Sequence, residues 1–177
     1  MSGETMMVGV VLERRRIDDP WREHVWHARE VVPGMAELTE WRKLSEDADG
    51  VRWLAAVLPI EMFPKETDGY RMNVTGANPS VFIVLRPDGA GGAGREMKAF
   101  HVTVCPFEAG NYGQSGEETV DALPMPAEIR AWVEDFVARH HVEQPFRKRQ
   151  RDRLDPDKVG FGRGAPNKDG GGGRGRD

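Results

Sequence analysis

VFIVLRPDGAGGAGREMKAFHVTVC, residues 81–105, decides the architecture. VFIVLR (81–86) is an unbroken apolar run with the length and β-branched content of a central strand. PDGAGGAG (87–94) follows, and then MKAFHVTVC (97–105), in which apolar and polar residues alternate. Phe100, Val102 and Val104 are expected on one face, with His101, Thr103 and Cys105 on the other. Strand, glycine loop and strand make a hairpin. No helix-length segment separates the two runs, so their pairing is antiparallel. The same context disposes of the literal GxGxxG match in GAGGAG (89–94), and of its likeness to a phosphate loop with Arg95-Glu96 at the Lys-Ser/Thr positions. A phosphate-binding loop opens a helix whose N-terminal N–H groups meet the anion; this loop opens a strand.

Working outward, strand patterns dominate the chain up to about residue 105. MVGVVLERR (7–15) is a short Val-rich run closed by Asp18-Asp19-Pro20. Between Trp21 and Pro33-Gly34, an extended entry leads to a strand from about Val25. VRWLAAVLPIEMF (51–63) alternates, and Pro59 marks a bend or an edge. GYRMNVT (69–75) alternates Tyr70, Met72 and Val74 against Arg71 and Asn73, and is read as a further strand. One helix is expected, over 126–141. There Ile129, Trp132, Val133, Phe136, Val137 and His140 recur at spacings of three and four. Pro126 suits its first position, Asp135 and Arg139 form an i,i+4 pair, and Arg139, His140 and His141 sit near its negative end. The expected fold is mainly β: an antiparallel sheet or partly closed barrel of about six or seven strands, with one C-terminal amphipathic helix.

Charge divides the chain into a single β-rich domain over 1–146 and a basic, Gly-rich tail over 147–177. From Arg147 to Asp177 there are ten Lys and Arg against five Asp, about +5, on a chain whose net charge is −4. Residues 1–146 therefore carry about −9. An acidic body disfavours a broad nucleic-acid surface, because phosphate contacts need clustered cations. In VEQPFRKRQRDR (142–153), Pro145 stops the helix and Phe146 is the last expected anchor. Arg147, Lys148, Arg149 and Arg151 follow with little apolar surface, so disorder is expected from about residue 155. That cation cluster suits the chain's own acidic surface or an acidic partner better than nucleic acid.

Most catalytic chemistry finds no foothold. One cysteine, Cys105, excludes an internal disulfide and any multi-cysteine metal site. Cys105 and His101 lie four residues apart on a strand, roughly 13 Å, too far for a nucleophile and its base. Ser115 in GQSGEE lacks the GxSxG elbow. His24 and His27 are three apart and His140-His141 adjacent, neither being the i,i+4 pair of a helical metal site. No cofactor or metal is expected. Trp21, Trp26, Trp41, Trp53 and Trp132 are read as core anchors in preference to stacking platforms. One segment resists dismissal: KETDGYRMN (65–73) concentrates Glu66, Tyr70, Arg71 and Asn73, enough polar groups to line a binding pocket. With Arg147, Lys148, Arg149 and Arg151, these are the candidate binding residues; no catalytic residue is nominated. Met6–Leu12 lacks the leading positive charge and the length of a secretory signal, and no segment approaches a membrane span, so the cytoplasm is the expected compartment.

Several segments together resemble a small uncharacterised bacterial protein family: VGVVLERRRIDDPWREHVW (8–26), FPKETDGYRMNV (63–74) with PSVFIVLR (79–86), VTVCPFEAGNYGQSGEETVDALPMP (102–126) and HHVEQPFRKRQRD (140–152). Members lie beside genes for molybdenum-containing enzymes of the formate-dehydrogenase type, and some carry the name molybdopterin-guanine dinucleotide biosynthesis protein A. The resemblance implies an accessory role in binding or assembly for such an oxidoreductase, with a subunit or maturation factor as protein partner. It supplies no catalytic residue. The transferase in that name has a glycine-rich start of the type LAGGxSxRMGxDK, whereas MMVGVVLERRRIDDPWREH has no Gly-Gly, Ser or Lys. Two alternatives stand beside the accessory role: an enzyme of molybdenum-cofactor nucleotide transfer using 65–73, and a nucleic-acid adaptor acting through the basic tail.

Overall fold

The computed structural model describes residues 2–92 and 94–143. The chain divides into the units Met1–Val142 and Glu143–Asp177. The expectations placed on the tail, including its disorder, lie outside the described residues.

In order, the elements are β1 (Glu4–Arg16), β2 (His24–Pro33), β3 (Arg42–Glu46), β4 (Gly50–Met62), a 3-10 turn (Pro64–Glu66), α1 (Thr67–Thr75), β5 (Ser80–Pro87), β6 (Met97–Thr103), α2 (Pro106–Gly113), β7 (Thr119–Pro124) and α3 (Ala127–His140). Among the described residues the strands form two antiparallel sheets, ordered β2-β1-β4-β3 and β6-β5-β7, with no closed barrel. As its apolar run requires, β5 is the central strand of its sheet. Val8, Val10 and Leu12 of β1 join Ile83, Leu85 and Val102 of the other sheet in one core. Gly9 and Val11 alternate to the opposite face and are also covered. A Cβ at Gly9 would stand 2.8 Å from the Met35 side chain, so only glycine lets that segment close over β1. This double coverage is why β1 reads as continuous apolar sequence.

The edges and irregularities set the positions that matter for function. Pro59 pairs with Met7 in a part of β4 that β3 does not reach, since β3 pairs only with Val51–Leu54. No β3 residue pairs opposite Pro59, so its missing N–H costs no bond to that strand. A bulge in β2 leaves Arg29 as an extra residue opposite Val11 and Leu12. In β6 the extra residue is Phe100, because Val84 pairs with His101 and Leu85 with Ala99. The expected common face of Phe100, Val102 and Val104 fails for this reason. Val102 and Val104 are buried while Phe100 is partly exposed, with the Arg86 guanidinium 3.6 Å above its ring.

Among the described residues there are three helices where one was expected. α3 buries Ile129, Val133 and Phe136 in the core, as its stripe requires. Trp132 Nε1 and Arg139 Nη2 donate to the Glu4 carboxylate at 2.9 and 2.6 Å, which ties α3 to the start of β1. The expected Asp135–Arg139 pair closes at 2.8 Å. Residues 69–75 are α1 and not a strand. Gly69, Tyr70, Asn73 and Val74 form its buried side, the i, i+1, i+4, i+5 pattern of a helix. At the outer edges of the two sheets, the Asp121 carboxylate of β7 accepts the Ala28 N–H of β2 at 2.8 Å and lies 3.4 Å from His27 Nδ1.

Candidate functional site

The polar segment 65–73 turns partly inward: Thr67, Tyr70 and Asn73 are buried, while Lys65, Asp68 and Arg71 are exposed. Pro64 opens a 3-10 turn after β4, and α1 follows directly. Tyr70 is fully buried; its hydroxyl accepts the Phe63 N–H and donates to the Glu66 carboxylate, both at 3.1 Å. Burial raises its pKa well above the ordinary phenol value, so the hydroxyl stays protonated and can donate. Asn73 donates to the Ser80 and Val104 carbonyls at 2.7 Å each and accepts the Ser80 N–H at 2.9 Å. It clamps α1 to the start of β5 and the end of β6. Arg71 is exposed on the outer side of α1. Of the four candidates here, Tyr70 and Asn73 hold the fold together and Glu66 reaches a cleft. Arg147, Lys148, Arg149 and Arg151 lie outside the described residues.

That cleft, about 390 Å³, opens between the first turns of α1 and α2. Lys65, Glu66 and Asp68 border it on one side, Phe107, Glu108 and Asn111 on the other, and Gly69 and Cys105 line it between. A Cβ at Gly69 would meet the Cys105 sulfur at 2.7 Å, so glycine permits this close approach of helix and thiol. Cys105 is buried more completely than expected, at 5% exposure, and Phe107 is 57% exposed. Glu108 accepts from Thr103 Oγ1 at 2.5 Å and pairs with His101 Nε2 at 2.9 Å. The His101 bond holds its carboxyl below the ordinary range, against the opposing effect of burial. Three carboxylates face one lysine, a balance that repels phosphate. Among the described residues, no group of three or more His, Cys, Asp or Glu could hold a metal ion.

A second constellation was not singled out from the sequence. On the outward side of β1, Glu13 is 5% exposed. Arg52 Nε, on the paired residue of β4, donates to its Oε2 at 2.7 Å. The bulged Arg29 donates to Oε1 through Nε and Nη2, both at 2.9 Å, and Arg15 Nε lies 3.8 Å away. Burial raises the Glu13 pKa, but the Arg52 and Arg29 bonds outweigh it and leave the carboxyl below its ordinary range. The signal available in sequence was alternation. Glu13 and Arg15 share the solvent-side period of β1, although the bulge that brings Arg29 beside them is not legible.

Beyond the same end of the sheet lies the β1–β2 loop. The Ile17 N–H bonds the Glu23 carbonyl at 3.0 Å, and Asp19 Oδ1 accepts the N–H groups of Trp21 and Arg22 at 2.8 and 3.2 Å. Held this way, the Trp21 side chain is left in solvent at 89% exposure. The other four tryptophans behave as core anchors. Trp26, Trp41 and Trp53 pack on one another at ring separations of 5.5–6.0 Å, and Trp132 packs against the core. Trp21 is the exception.

Residues 7–150 match the family model described as "Protein of unknown function (DUF3305)", and the chain belongs to that family. No curated protein and no solved structure matches it.

Proposed function

We propose that this DUF3305 member is a non-catalytic binding or assembly module serving a molybdenum oxidoreductase of the formate-dehydrogenase type. The observation that carries the binding role is Trp21: an indole at 89% exposure, on a loop held by three backbone-donated hydrogen bonds. Leaving an indole in water forgoes burial worth roughly 2–3 kcal/mol. Interface hot spots are enriched in Trp and Arg. The oxidoreductase assignment is supported by the family resemblance alone. Affinity purification of the full chain at native expression should recover oxidoreductase subunits or maturation factors, and Trp21→Ala should reduce the recovery. A wild-type chain that captures neither, with normal oxidoreductase activity in a deletion strain, defeats the proposal.

The cleft favours a second role, an enzyme of molybdenum-cofactor nucleotide transfer, because Glu66 of the nominated segment borders it beside the exposed Phe107 ring. Its surplus of carboxylates opposes a nucleotide phosphate. Calorimetric titration with a guanine nucleotide decides: saturable binding abolished by Phe107→Ala supports the transfer role, and no heat removes it.

A further inference from the structure

We propose that Trp21 and the guanidinium groups of Arg15, Arg29 and Arg52 form a docking surface for an acidic segment of a protein partner. This rests on the binding-module proposal and supplies the chemistry that module would recognise. The guanidiniums stand on three adjacent strands, β2, β1 and β4, so they form a row about 10 Å wide across the sheet. Glu13 sits beneath the row. Its side chain is only 6% exposed, whereas those of Arg15, Arg29 and Arg52 are 52, 37 and 49% exposed. Glu13 therefore orients the cations from the protein side and leaves a large part of each arginine side chain exposed.

Donor geometry points the same way. Each guanidinium has five N–H donors in a planar fork. Arg52 reaches Glu13 through Nε, and Arg15 approaches it through Nε at 3.8 Å. Both contacts run through Nε at the base of the fork, and the remaining N–H donors of each half-exposed guanidinium suit the carboxylates of a partner. Asp47 and Glu30 lie close enough to interact with Arg52. The Asp47 carboxylate accepts the N–H groups of Asp49 and Gly50 at 2.8 and 2.9 Å, which fixes it as a negative charge flanking the row. Trp21 adds the apolar anchor that a row of half-exposed charges lacks, since exposed ion pairs alone contribute little. A short protein segment fits better than nucleic acid, because a few carboxylates can be confined to the row, whereas a phosphate backbone runs past it over a body that carries about −9.

The test titrates the isotope-labelled full chain with N-acetyl hexaglutamate amide, with hexalysine as control. Nuclear magnetic resonance follows the Trp21 indole N–H and the Nε–H groups of Arg15, Arg29 and Arg52. Saturable shifts at these four groups are expected with hexaglutamate only. Arg15→Gln combined with Arg52→Gln should weaken binding about tenfold, and Trp21→Ala about threefold, with backbone spectra unchanged elsewhere. Shifts confined to residues 147–153, no response at the four groups, or equal affinity in the double variant overturns the proposal. Tighter binding of a short DNA duplex at the same four groups overturns the choice of partner. If hexaglutamate binds as expected but no oxidoreductase component co-purifies, the oxidoreductase assignment fails and this surface stands. Co-purification without hexaglutamate binding has the opposite meaning.

Discussion

Asn73 and Glu13 are buried to nearly the same degree, 7 and 5% exposed, yet they do different things. The Asn73 amide donates to the Ser80 and Val104 carbonyls, and its oxygen accepts the Ser80 N–H. Every partner is main chain, and the constellation is closed. Glu13 bonds the guanidiniums of Arg29 and Arg52, whose outer halves face water. That constellation is open: satisfying the buried group leaves donors directed away from the fold. A closed network is architecture. An open one can also serve recognition, and the same degree of burial does not separate the two.

The largest effect should come from breaking the closed network. Asn73→Ala leaves the buried Val104 carbonyl and the Ser80 backbone groups without their partners, a loss of about 3 kcal/mol. Urea unfolding should show the midpoint falling while the slope is kept. A loss below about 1 kcal/mol would mean that water replaces the amide, and that the site is open after all.

Glu13→Gln probes the open network and should cost less, about 2 kcal/mol, because the three guanidiniums regain water on their exposed sides. Its pH signature is the sharper test. The folded Glu13 pKa lies below the ordinary 4.5, so its contribution is fully present above that value and disappears as pH falls through the folded pKa. Glu108 has the same sign. Wild-type stability should therefore decline below about pH 4.5, and Glu13→Gln should flatten that decline without abolishing it. Parallel wild-type and variant profiles would show that Glu13 contributes nothing to the acid dependence.

The two regions also differ in how far sequence reveals them. The 81–105 hairpin was legible because a buried strand, a glycine loop and an alternating strand leave one arrangement; only the bulge at Phe100 was hidden. Such a bulge depends on pairing with Val84 and Leu85, which no local pattern encodes. In GYRMNVT, the helix spacing of Tyr70 and Val74 was present, but so was a period of two, and seven residues do not separate them. The helix wins through tertiary contacts: the Tyr70 hydroxyl reaches back to Phe63, and Asn73 reaches residues as distant as Val104. The polar density at 65–73 divides: Tyr70 and Asn73 are buried in the fold, while Lys65, Glu66 and Asp68 border the cleft. Trp21 was misread for a related reason. Tryptophan in a short loop is usually an anchor, and only the folded loop shows that this indole has nothing to anchor to.

Tyr70→Phe tests the closed side more gently. It removes a hydroxyl bonded to the Phe63 N–H and Glu66 while keeping the ring against Phe136 at 6.0 Å. About 1 kcal/mol should be lost, since the Phe63 N–H and Glu66 lose a partner and the core volume stays filled. Thermal unfolding gives the number. If the variant also changes ligand or partner binding, the hydroxyl belongs to the cleft and Tyr70 moves from architecture to recognition.

The smallest effect on stability should come from Trp21→Ala, and that smallness is what gives the variant its value. At 89% exposure the indole has almost no apolar contact to lose on truncation. The bonds that shape the loop run through the backbone N–H of Trp21 and the Asp19 carboxylate, and both survive the substitution. The change should stay within about 0.5 kcal/mol of wild type, and with less exposed apolar surface the variant should be at least as soluble. Partner capture at native expression should nevertheless fall. If stability drops by more than about 1 kcal/mol instead, the indole packs on the fold in solution, and the exposed anchor on which the open surface depends does not exist.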